Sequence, residues 1–263
     1  MKFTKEQLQK LYLKEHLENR LSYKEIREKY NIPRGTWDYY IRKKLGYSSD
    51  ERIYRANDTF FDVINSEIKA YLLGFLYADG YLASDGRMGI RLKIDDIEII
   101  KLIKQYICPE NPIEYSNNQN FKRRPQCSIR WKSKNMYNRL LNLGFCVDKT
   151  HTNSDIFKHI PINMKSHFIR GFTDGDGHIS NYNLGTSHRK ISISWSNGTA
   201  SIFNDIIDYY KEYKFKLYNK NTYYVCSIDR VKDACMFTKL LYENSNYFLT
   251  RKKKIAETLF NIF

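Results

Sequence analysis

The chain lacks the cysteine pattern of a disulfide framework or of a zinc site. Its five cysteines are an odd number, and no two of them are spaced as Cys-x-x-Cys. Disulfide-dependent secreted domains carry paired cysteines, and structural zinc sites carry closely spaced ones. We therefore expect reduced thiols in an intracellular protein. The abundance of Lys, Asn, Ile and Tyr fits an AT-rich genome, which favours the cytoplasm of a bacterium or phage-infected cell, or an organelle matrix.

Long apolar runs are also missing. No apolar stretch approaches the length of about 18 residues that indicates a membrane-spanning helix, and the opening MKFTKEQLQK has no apolar core. A signal peptide requires such a core near the amino terminus. The sequence therefore predicts neither a membrane span nor a signal peptide, and no membrane partner.

Acidic residues are few relative to basic ones. The 263 residues include 29 Asp and Glu against 44 Lys and Arg, which leaves a formal net charge of +15. Such an excess favours a polyanionic partner such as nucleic acid. The alternative is that the positive charge only keeps the protein soluble and binds no particular partner. The length is sufficient for two cores of domain size and a small third unit.

What the chain does contain is one stretch that occurs twice. LLGFLYADG (72–80) and IRGFTDGDG (169–177) align without a gap, 97 residues apart. Each is an apolar run that closes on Asp-Gly, which is typical of a buried helix with a glycine just past its end. The repeat predicts two copies of one domain.

Small residues lie four apart in each copy. Gly74 and Ala78 have this spacing in the first copy, and Gly171 and Gly175 in the second. Residues four apart share a helix face, and a glycine inside a helix costs about 1 kcal/mol relative to alanine. Two such positions indicate a packing purpose, so we expect the two helices to pack side by side.

Both copies end on an acid, Asp79 and Asp176. The carboxyl end of a helix carries partial negative charge, which disfavours a carboxylate there. In parallel helices both acids and the last carbonyls would converge, and a divalent cation such as Mg²⁺ would relieve the repulsion. A bound metal supports phosphodiester hydrolysis by activating water. The alternative, ordinary helix-end chemistry, suits one Asp-Gly better than two in register.

The two stretches resemble the LAGLIDADG motif of homing endonucleases and related intron maturases, and the resemblance covers residues 66–263. It implies an α+β fold in which two α-β-β-α-β-β-α domains place two antiparallel sheets as a saddle over DNA, with the motif helices at the domain interface. The first acid of the motif is Tyr77 in one copy and Asp174 in the other, so the halves are not equivalent.

The resemblance also implies site residues. Metal ligation falls on Asp79 and Asp176 and on the carbonyls of Ala78 and Gly175, with Mg²⁺ as the metal and Mn²⁺ as a substitute. A catalytic lysine near each site falls on Lys149 and Lys252, with Arg251 and Lys253 as rivals; a solvated basic face is the alternative for Lys252. A polar group that ends the second strand falls on Asp96 or Asp95, and on Asn197.

Four segments follow from the patterns along the chain: a helix-turn-helix-like unit (1–50), a linker (51–65) and two LAGLIDADG domains (66–160 and 161–263). Capping boxes at Thr4 and Ser22 begin two helices, and a third is expected over residues 34–44. Strands are expected at 81–83, 89–94, 113–116 and 127–132, then at 178–182, 190–195, 215–218 and 223–228. The last helix is expected over 250–263.

Polar side chains on the outward strand faces are the candidates for DNA contact, because a two-stranded ribbon fits the major groove. They are Arg91, Lys93, Arg130, Lys132, Lys190, Ser192 and Ser194, with Lys122, Arg123 and Arg124 in a loop. In the first unit the candidates are Arg34, Thr36 and Arg42, while Trp37 and Tyr40 suit contact or core. The alternatives are a solvated sheet face and a helical unit that only packs on the main body.

Two functions remain open at this stage. The first is a monomeric, site-specific endonuclease that hydrolyses both strands of duplex DNA at a long asymmetric target. The resemblance implies that it would cut across the minor groove and leave short 3′ overhangs. The second is an intron RNA maturase or a DNA-binding regulator without nuclease activity. Retention of both motif acids favours the nuclease, because a protein that only binds does not need them.

Overall fold

The computed structural model describes residues 3–19, 21–47, 54–116, 125–147, 152–182 and 190–262. Contacts along the chain divide it into two compact units, Met1–Ala56 and Asn57–Phe263. Among the described helices, none combines the length and hydropathy needed to cross a membrane. None of the five cysteines forms a disulfide, and burial raises the pKa of Cys108 and Cys226 to about 12.

The first unit is a three-helix domain with its own apolar core. Helix α1 (Lys5–Leu11) continues in π-type turns (Tyr12–Glu18), α2 spans Tyr23–Tyr30, and α3 (Arg34–Trp37) continues in π-type turns (Asp38–Lys44). The expected capping boxes are present at Thr4 and Ser22. The core consists of Leu8, Tyr12, Ile26, Ile32, Trp37 and Ile41.

The second unit contains the two repeats, each with two hairpins between helices. The first repeat consists of α4 (Glu67–Asp79), β1 (Gly80–Leu82), β2 (Arg87–Lys93), α5 (Ile97–Tyr106), β3 (Glu114–Ser116), β4 (Gln126–Lys132) and α6 (Lys134–Asn142). The second consists of α7 (Lys165–Asp176), β5 (His178–Tyr182), β6 (Lys190–Asn197), α8 (Ser201–Tyr209), β7 (Phe215–Asn219), β8 (Tyr224–Ile228) and α9 (Val231–Tyr242), followed by α10 (Thr250–Glu257). The last helix therefore ends earlier than the expected residue 263.

Each repeat builds one antiparallel four-stranded sheet. The strand orders are β1-β2-β4-β3 and β5-β6-β8-β7, so the two sheets share one topology. Apolar side chains alternate with polar ones, as expected for a sheet with one covered face. The covered face of the first sheet includes Ile90, Leu92, Ile129 and Trp131, and that of the second includes Ile191, Ile193, Trp195 and Ile228. This confirms the α+β architecture expected from the sequence.

The motif helices α4 and α7 pack backbone to backbone through the two expected glycines. A Cβ added to Gly74 would lie 2.0 Å from the carbonyl oxygen of Phe168, and one added to Gly171 would lie 2.0 Å from the carbonyl oxygen of Tyr71. Real side-chain atoms do not approach a carbonyl oxygen that closely, so these positions require glycine for the observed helix distance.

Candidate active site at the ends of the motif helices

The carboxyl ends of α4 and α7 meet. A Cβ added to Gly175 would lie 2.3 Å from the Cβ of Ala78 and 3.2 Å from Oδ2 of Asp79. Because this contact is one turn beyond the glycine contacts on both helices, the helices run parallel. Asp79 and Asp176 are exposed at these ends, whereas Ala78 is buried. The structure thus brings the carboxylate of Asp79 beside Gly175 of the other repeat.

The glycines that follow the two acids are there for space rather than for a left-handed turn. Gly80 and Gly177 have φ of −72° and −79°, which any residue can adopt. A Cβ on Gly80 would lie 2.5 Å from the carbonyl oxygen of Leu76, and one on Gly177 would lie 2.7 Å from that of Thr173. The chain therefore turns from each helix directly into a strand, which holds each acid at the sheet edge.

Lys252 is a buried cation at the end of α7. Its Nζ donates to the carbonyl oxygens of Thr173 at 2.5 Å, Asp174 at 2.8 Å and Gly177 at 2.7 Å, with Gly175 at 3.4 Å. Only 6% of the side chain is exposed, so it does not belong to a solvated basic face. A positive charge is favourable at this helix end.

The electrostatics of Lys252 connect it to the motif acids. Burial lowers the pKa of Lys252 to about 8, while the carboxylates of Asp174, Asp79 and Asp176 act in the opposite direction. The three acids are therefore close enough for their charge to act on this ammonium group. The equivalent candidate in the first repeat, Lys149, lies outside the described residues.

The two rivals of Lys252 have other partners. Arg251 binds Asp96, with Nε–Oδ1 at 2.8 Å and Nη2–Oδ2 at 3.1 Å. Lys253 donates to the carbonyl of Tyr242 and, at 3.0 Å, to Oγ of Ser245. Asp96 is thus a buried partner of a cation from the second repeat, which ties the last helix to the first repeat.

The other two strand-end candidates lie in different settings. Asn197 Oδ1 accepts the backbone N–H of Thr199 at 3.1 Å, which shapes the turn before α8. Asp95 is exposed beside Asp96 in the turn that precedes α5. Their part in a site stays a prediction.

The first acid of the second motif, Asp174, is buried and accepts hydrogen bonds from three parts of the second unit. Asp174 is 1% exposed and accepts from the hydroxyls of Tyr71 at 2.8 Å and Tyr242 at 2.6 Å, and from the N–H of Leu249 at 2.6 Å. Burial raises its pKa to about 6. Its counterpart Tyr77 is buried against aromatic rings of α7. The two halves are inequivalent in packing at this position.

Polar side chains of the first sheet share its outward face. The register places Arg87 opposite Lys132, Gly89 opposite Arg130, Arg91 opposite Ser128 and Lys93 opposite Gln126. The four expected basic residues of this sheet, Arg91, Lys93, Arg130 and Lys132, therefore lie on one face. Arg87 joins them and was missed, because the expected strand began two residues after it; an alternating pattern extended through the turn would have found it.

The second sheet has a different outward face. Lys190, Ser192 and Ser194 lie on it as expected. Register adds further neighbours on the same face: His178, Ser180, Tyr182, Ser196 and Ser227. The loop candidates Lys122, Arg123 and Arg124 lie outside the described residues.

The first unit presents a separate set of polar side chains on α3 and its extension. Arg34 and Arg42 are exposed, and Thr36 is half-buried. Both arginines contact Asp38, with Nε–carboxylate distances of 3.4 and 3.6 Å. Trp37 is fully buried in the core, so the contact interpretation of this residue is wrong, while Tyr40 is half-buried against that core.

The residues at the helix ends suit a hard divalent cation. Within the described ranges there is no group of three or more His, Cys, Asp or Glu side chains that could hold a metal. The available donors are the carboxylates of Asp79 and Asp176 and the last helix carbonyls, all of them oxygen, which Mg²⁺ prefers. The ammonium of Lys252 binds three of these helix carbonyls and the carbonyl of Gly177, so the end of α7 accommodates positive charge.

The sheet topology and the paired helices agree with known structures. The chain is similar to the LAGLIDADG homing endonuclease I-GzeII in complex with its DNA target, with 14% identity, 72% of this chain and 87% of that chain covered, and a TM-score of 0.50. It is also similar to the homing endonuclease I-WcaI bound to its DNA recognition sequence, with 13% identity, 82% and 96% covered, and a TM-score of 0.54. The chain has the LAGLIDADG homing endonuclease fold. No family model and no curated protein matches it.

Proposed function

We propose that this chain is a metal-dependent endonuclease that cleaves both strands of duplex DNA at a specific, asymmetric site. One observation carries the proposal: the LAGLIDADG helices bring the carboxylate of Asp79 beside Gly175 of the other repeat, at the end where Asp176 is also exposed. The cationic outward face of the first sheet and the net charge of +15 support a polyanionic substrate.

The metal would be held by Asp79 and Asp176 together with the carbonyls of Ala78 and Gly175. Mg²⁺ is the preferred ion, with Mn²⁺ as a substitute, because all of these donors are oxygen. When bound, such a metal activates water and stabilises the leaving oxygen of a phosphodiester. Each repeat would contribute one metal-binding acid, Asp79 in the first and Asp176 in the second.

The chain's own residues would bind and orient the substrate. Lys252 holds the carbonyls at the end of α7 in place, and its charge lowers the cost of bringing a phosphate near two carboxylates. The outward strand faces would lie in the grooves of the duplex. Lys149 is proposed for the equivalent place in the first repeat, and Arg34, Thr36 and Arg42 for contact by the first unit.

Because one chain supplies both repeats, a monomer would be sufficient for a double-strand cut. The non-identical sheet faces predict a target whose two halves differ in sequence. This part of the proposal concerns the whole chain, including the first unit, which would extend the contacted DNA beyond the segment under the two sheets.

The test is cleavage of a randomised duplex library by the purified chain, with Mg²⁺ and with Ca²⁺ in parallel, followed by sequencing of the ends. We expect discrete cuts at one family of sequences with Mg²⁺. Asp79→Asn and Asp176→Asn should each reduce double-strand cleavage of the selected target by about 10³-fold or more, because a charged metal ligand is lost. Duplex affinity should change by less than about threefold.

Asp208→Asn is the matched control, since this acid is exposed on α8. It should leave both cleavage and binding unchanged. Full double-strand cleavage by either motif variant would refute the assignment of the site. Specific binding without cleavage in any divalent metal would favour a regulator, and preference for folded intron RNA over duplex would favour a maturase.

A further inference from the structure

The two sheets can be compared residue by residue, because they have the same topology and register. Leu82 pairs with Met88, which pairs with Trp131. In the second sheet Ile179 pairs with Ile193, which pairs with Ile228. The repeat spacing places Leu82 on Ile179. Met88 therefore corresponds to Ile193 and Trp131 to Ile228, and the other positions of the central strands are matched by counting from these residues.

On the outward faces this correspondence replaces three arginines with three serines. Arg87, which precedes Met88, corresponds to Ser192, and Arg91 corresponds to Ser196. Arg130, which precedes Trp131, corresponds to Ser227. All three arginines are exposed, whereas of the three serines Ser196 is exposed, Ser192 is half-buried and Ser227 is buried within the sheet. The two sheets therefore differ by three positive charges at equivalent places.

Other charges do not remove this difference. The first face also has Lys93 and Lys132, and the second has Lys190 and Lys216. Beside the first face, Asp85 binds Arg87 at 2.6 Å and Glu114 binds Arg130, and beside the second face Asp229 binds Lys216 at 3.2 Å. Exposed ion pairs of this kind contribute little free energy, so these three cations remain available to a polyanion.

Arg130 is held in a defined position on the first face. Glu114 of the neighbouring strand accepts a hydrogen bond from its guanidinium, and this contact raises the pKa of Arg130. Opposite Arg130 is Gly89, where a Cβ would lie 2.7 Å from the hydroxyl oxygen of Tyr81. Tyr81 therefore crosses the sheet beside Arg130. A guanidinium fixed in this way loses little entropy when it binds a phosphate or a guanine edge.

Charged and neutral faces contact DNA in different ways. A cation at a phosphate releases counterions, so its contribution to affinity falls steeply with salt. A serine hydroxyl can donate or accept a hydrogen bond at any base edge or phosphate, but it displaces no counterion. Two faces that differ by three charges should therefore differ in the salt dependence that they contribute.

We propose that the first sheet binds its half of a duplex mainly through charge and that the second sheet binds the other half mainly through neutral hydroxyls. The larger share of the salt-dependent part of sheet-mediated affinity then comes from the first repeat. This inference rests on the proposed function only in taking duplex DNA as the ligand, and it does not require cleavage.

The test measures the affinity of the full chain for a random-sequence duplex as a function of salt. One variant carries Arg87→Ser, Arg91→Ser and Arg130→Ser together, and its matched counterpart carries Ser192→Ala, Ser196→Ala and Ser227→Ala. The first should lower the slope of log affinity against log salt by up to about 2.7, since each lost phosphate contact removes about 0.9. The second should change the slope by less than about 0.5.

A reciprocal variant adds charge to the second face, so its expected effect is a gain in salt dependence that a loss of stability would not produce. Ser192→Arg, Ser196→Arg and Ser227→Arg together should steepen the slope, because they give the second face the charge pattern of the first. Thermal unfolding of each variant identifies a misfolded chain before binding is measured. Equal slope changes in the arginine and serine variants, or no steepening in the reciprocal variant, would overturn this inference alone. Failure of the unchanged chain to bind duplex at all would instead overturn the proposed function.

Discussion

Helices α4 and α7 make the same contact through Gly74 and Gly171, yet they differ in what else they bury. The buried face of α7 includes four polar side chains: Lys165, Arg170, Thr173 and Asp174. The repeat spacing matches these with Ile68, Leu73, Leu76 and Tyr77 on α4, all of which are buried hydrophobic residues. The glycine contact is common to both repeats, whereas the surrounding packing belongs to one of them.

The polar groups of α7 bind the end of α9 and the segment that follows it. Arg170 donates to the carbonyls of Leu241 and Tyr247, each at 2.8 Å, and Asp174 accepts from Tyr242 and Leu249. Buried polar groups are tolerated only when they are hydrogen-bonded, and this segment supplies the partners. The polar interior of α7 is therefore satisfied by hydrogen bonds with the end of α9 and the segment after it, whereas the equivalent positions of α4 are apolar.

Substitution of the shared glycines should have the largest effect. Gly74→Ala and Gly171→Ala each place a Cβ about where a carbonyl oxygen of the other helix now lies, so the helices must separate. We expect each to destabilise the second unit by about 3 kcal/mol, even though alanine favours the helix by about 1 kcal/mol. The two effects should be similar, because both added atoms would lie 2.0 Å from the nearest oxygen. Chemical denaturation measures both.

Gly35→Ala is the control for this pair, because a Cβ there would have no neighbouring atom within 4 Å. It lies in α3 of the first unit and should leave the stability of the second unit unchanged. A large difference between Gly74→Ala and Gly171→Ala would contradict the equivalence of the two helices at their contact.

The glycine contact could be predicted from the sequence, and the polar anchors could not. Small residues four apart in two aligned runs indicate close helix packing on any backbone. The faces of the central strands could also be predicted, because alternation of apolar and polar residues assigns each side chain to a face. Lys252 binds backbone carbonyls more than 70 residues away along the chain, and Arg170 does so in addition to its ion pair with Glu67. No local pattern marks a carbonyl as an acceptor. For the same reason Lys252 looked like part of a solvated basic run.

Arg170→Leu should have the next largest effect. It gives α7 the residue that α4 has at the equivalent position, and it removes the ion pair with Glu67 at 2.7 Å as well as two hydrogen bonds to buried carbonyls. Breaking a buried pair from one side leaves the other charge uncompensated, so we expect a loss of about 3 kcal/mol. Urea unfolding followed by a probe in the second unit measures it.

Lys239→Ala is the matched control, since Lys239 forms an exposed ion pair with Glu243 at 3.5 Å. That pair should contribute less than about 0.5 kcal/mol. If the two substitutions lowered the free energy of unfolding equally, the polar interior of α7 would contribute no more to stability than a surface ion pair. The difference in packing between α4 and α7 would then have no effect on stability.

Tyr71→Phe tests the hydroxyl by which α4, in addition to Glu67, supports the polar interior of α7. Tyr71 donates to Asp174 across the helix interface, and its own counterpart in the second repeat is Phe168, which has no hydroxyl. The substitution keeps the ring and removes one of the donors to a carboxylate that is 1% exposed. We expect the free energy of unfolding to fall by about 1–2 kcal/mol, because a buried acceptor loses a hydrogen bond.

Tyr115→Phe is the control, because its ring on β3 is exposed; its free energy of unfolding should stay within about 0.5 kcal/mol of that of the unchanged chain. Combining Tyr71→Phe with Tyr242→Phe should cost more than the sum of the single changes, since the second loss leaves the carboxylate with few donors. Strict additivity in that double-mutant cycle would mean that the two hydroxyls act separately rather than through Asp174.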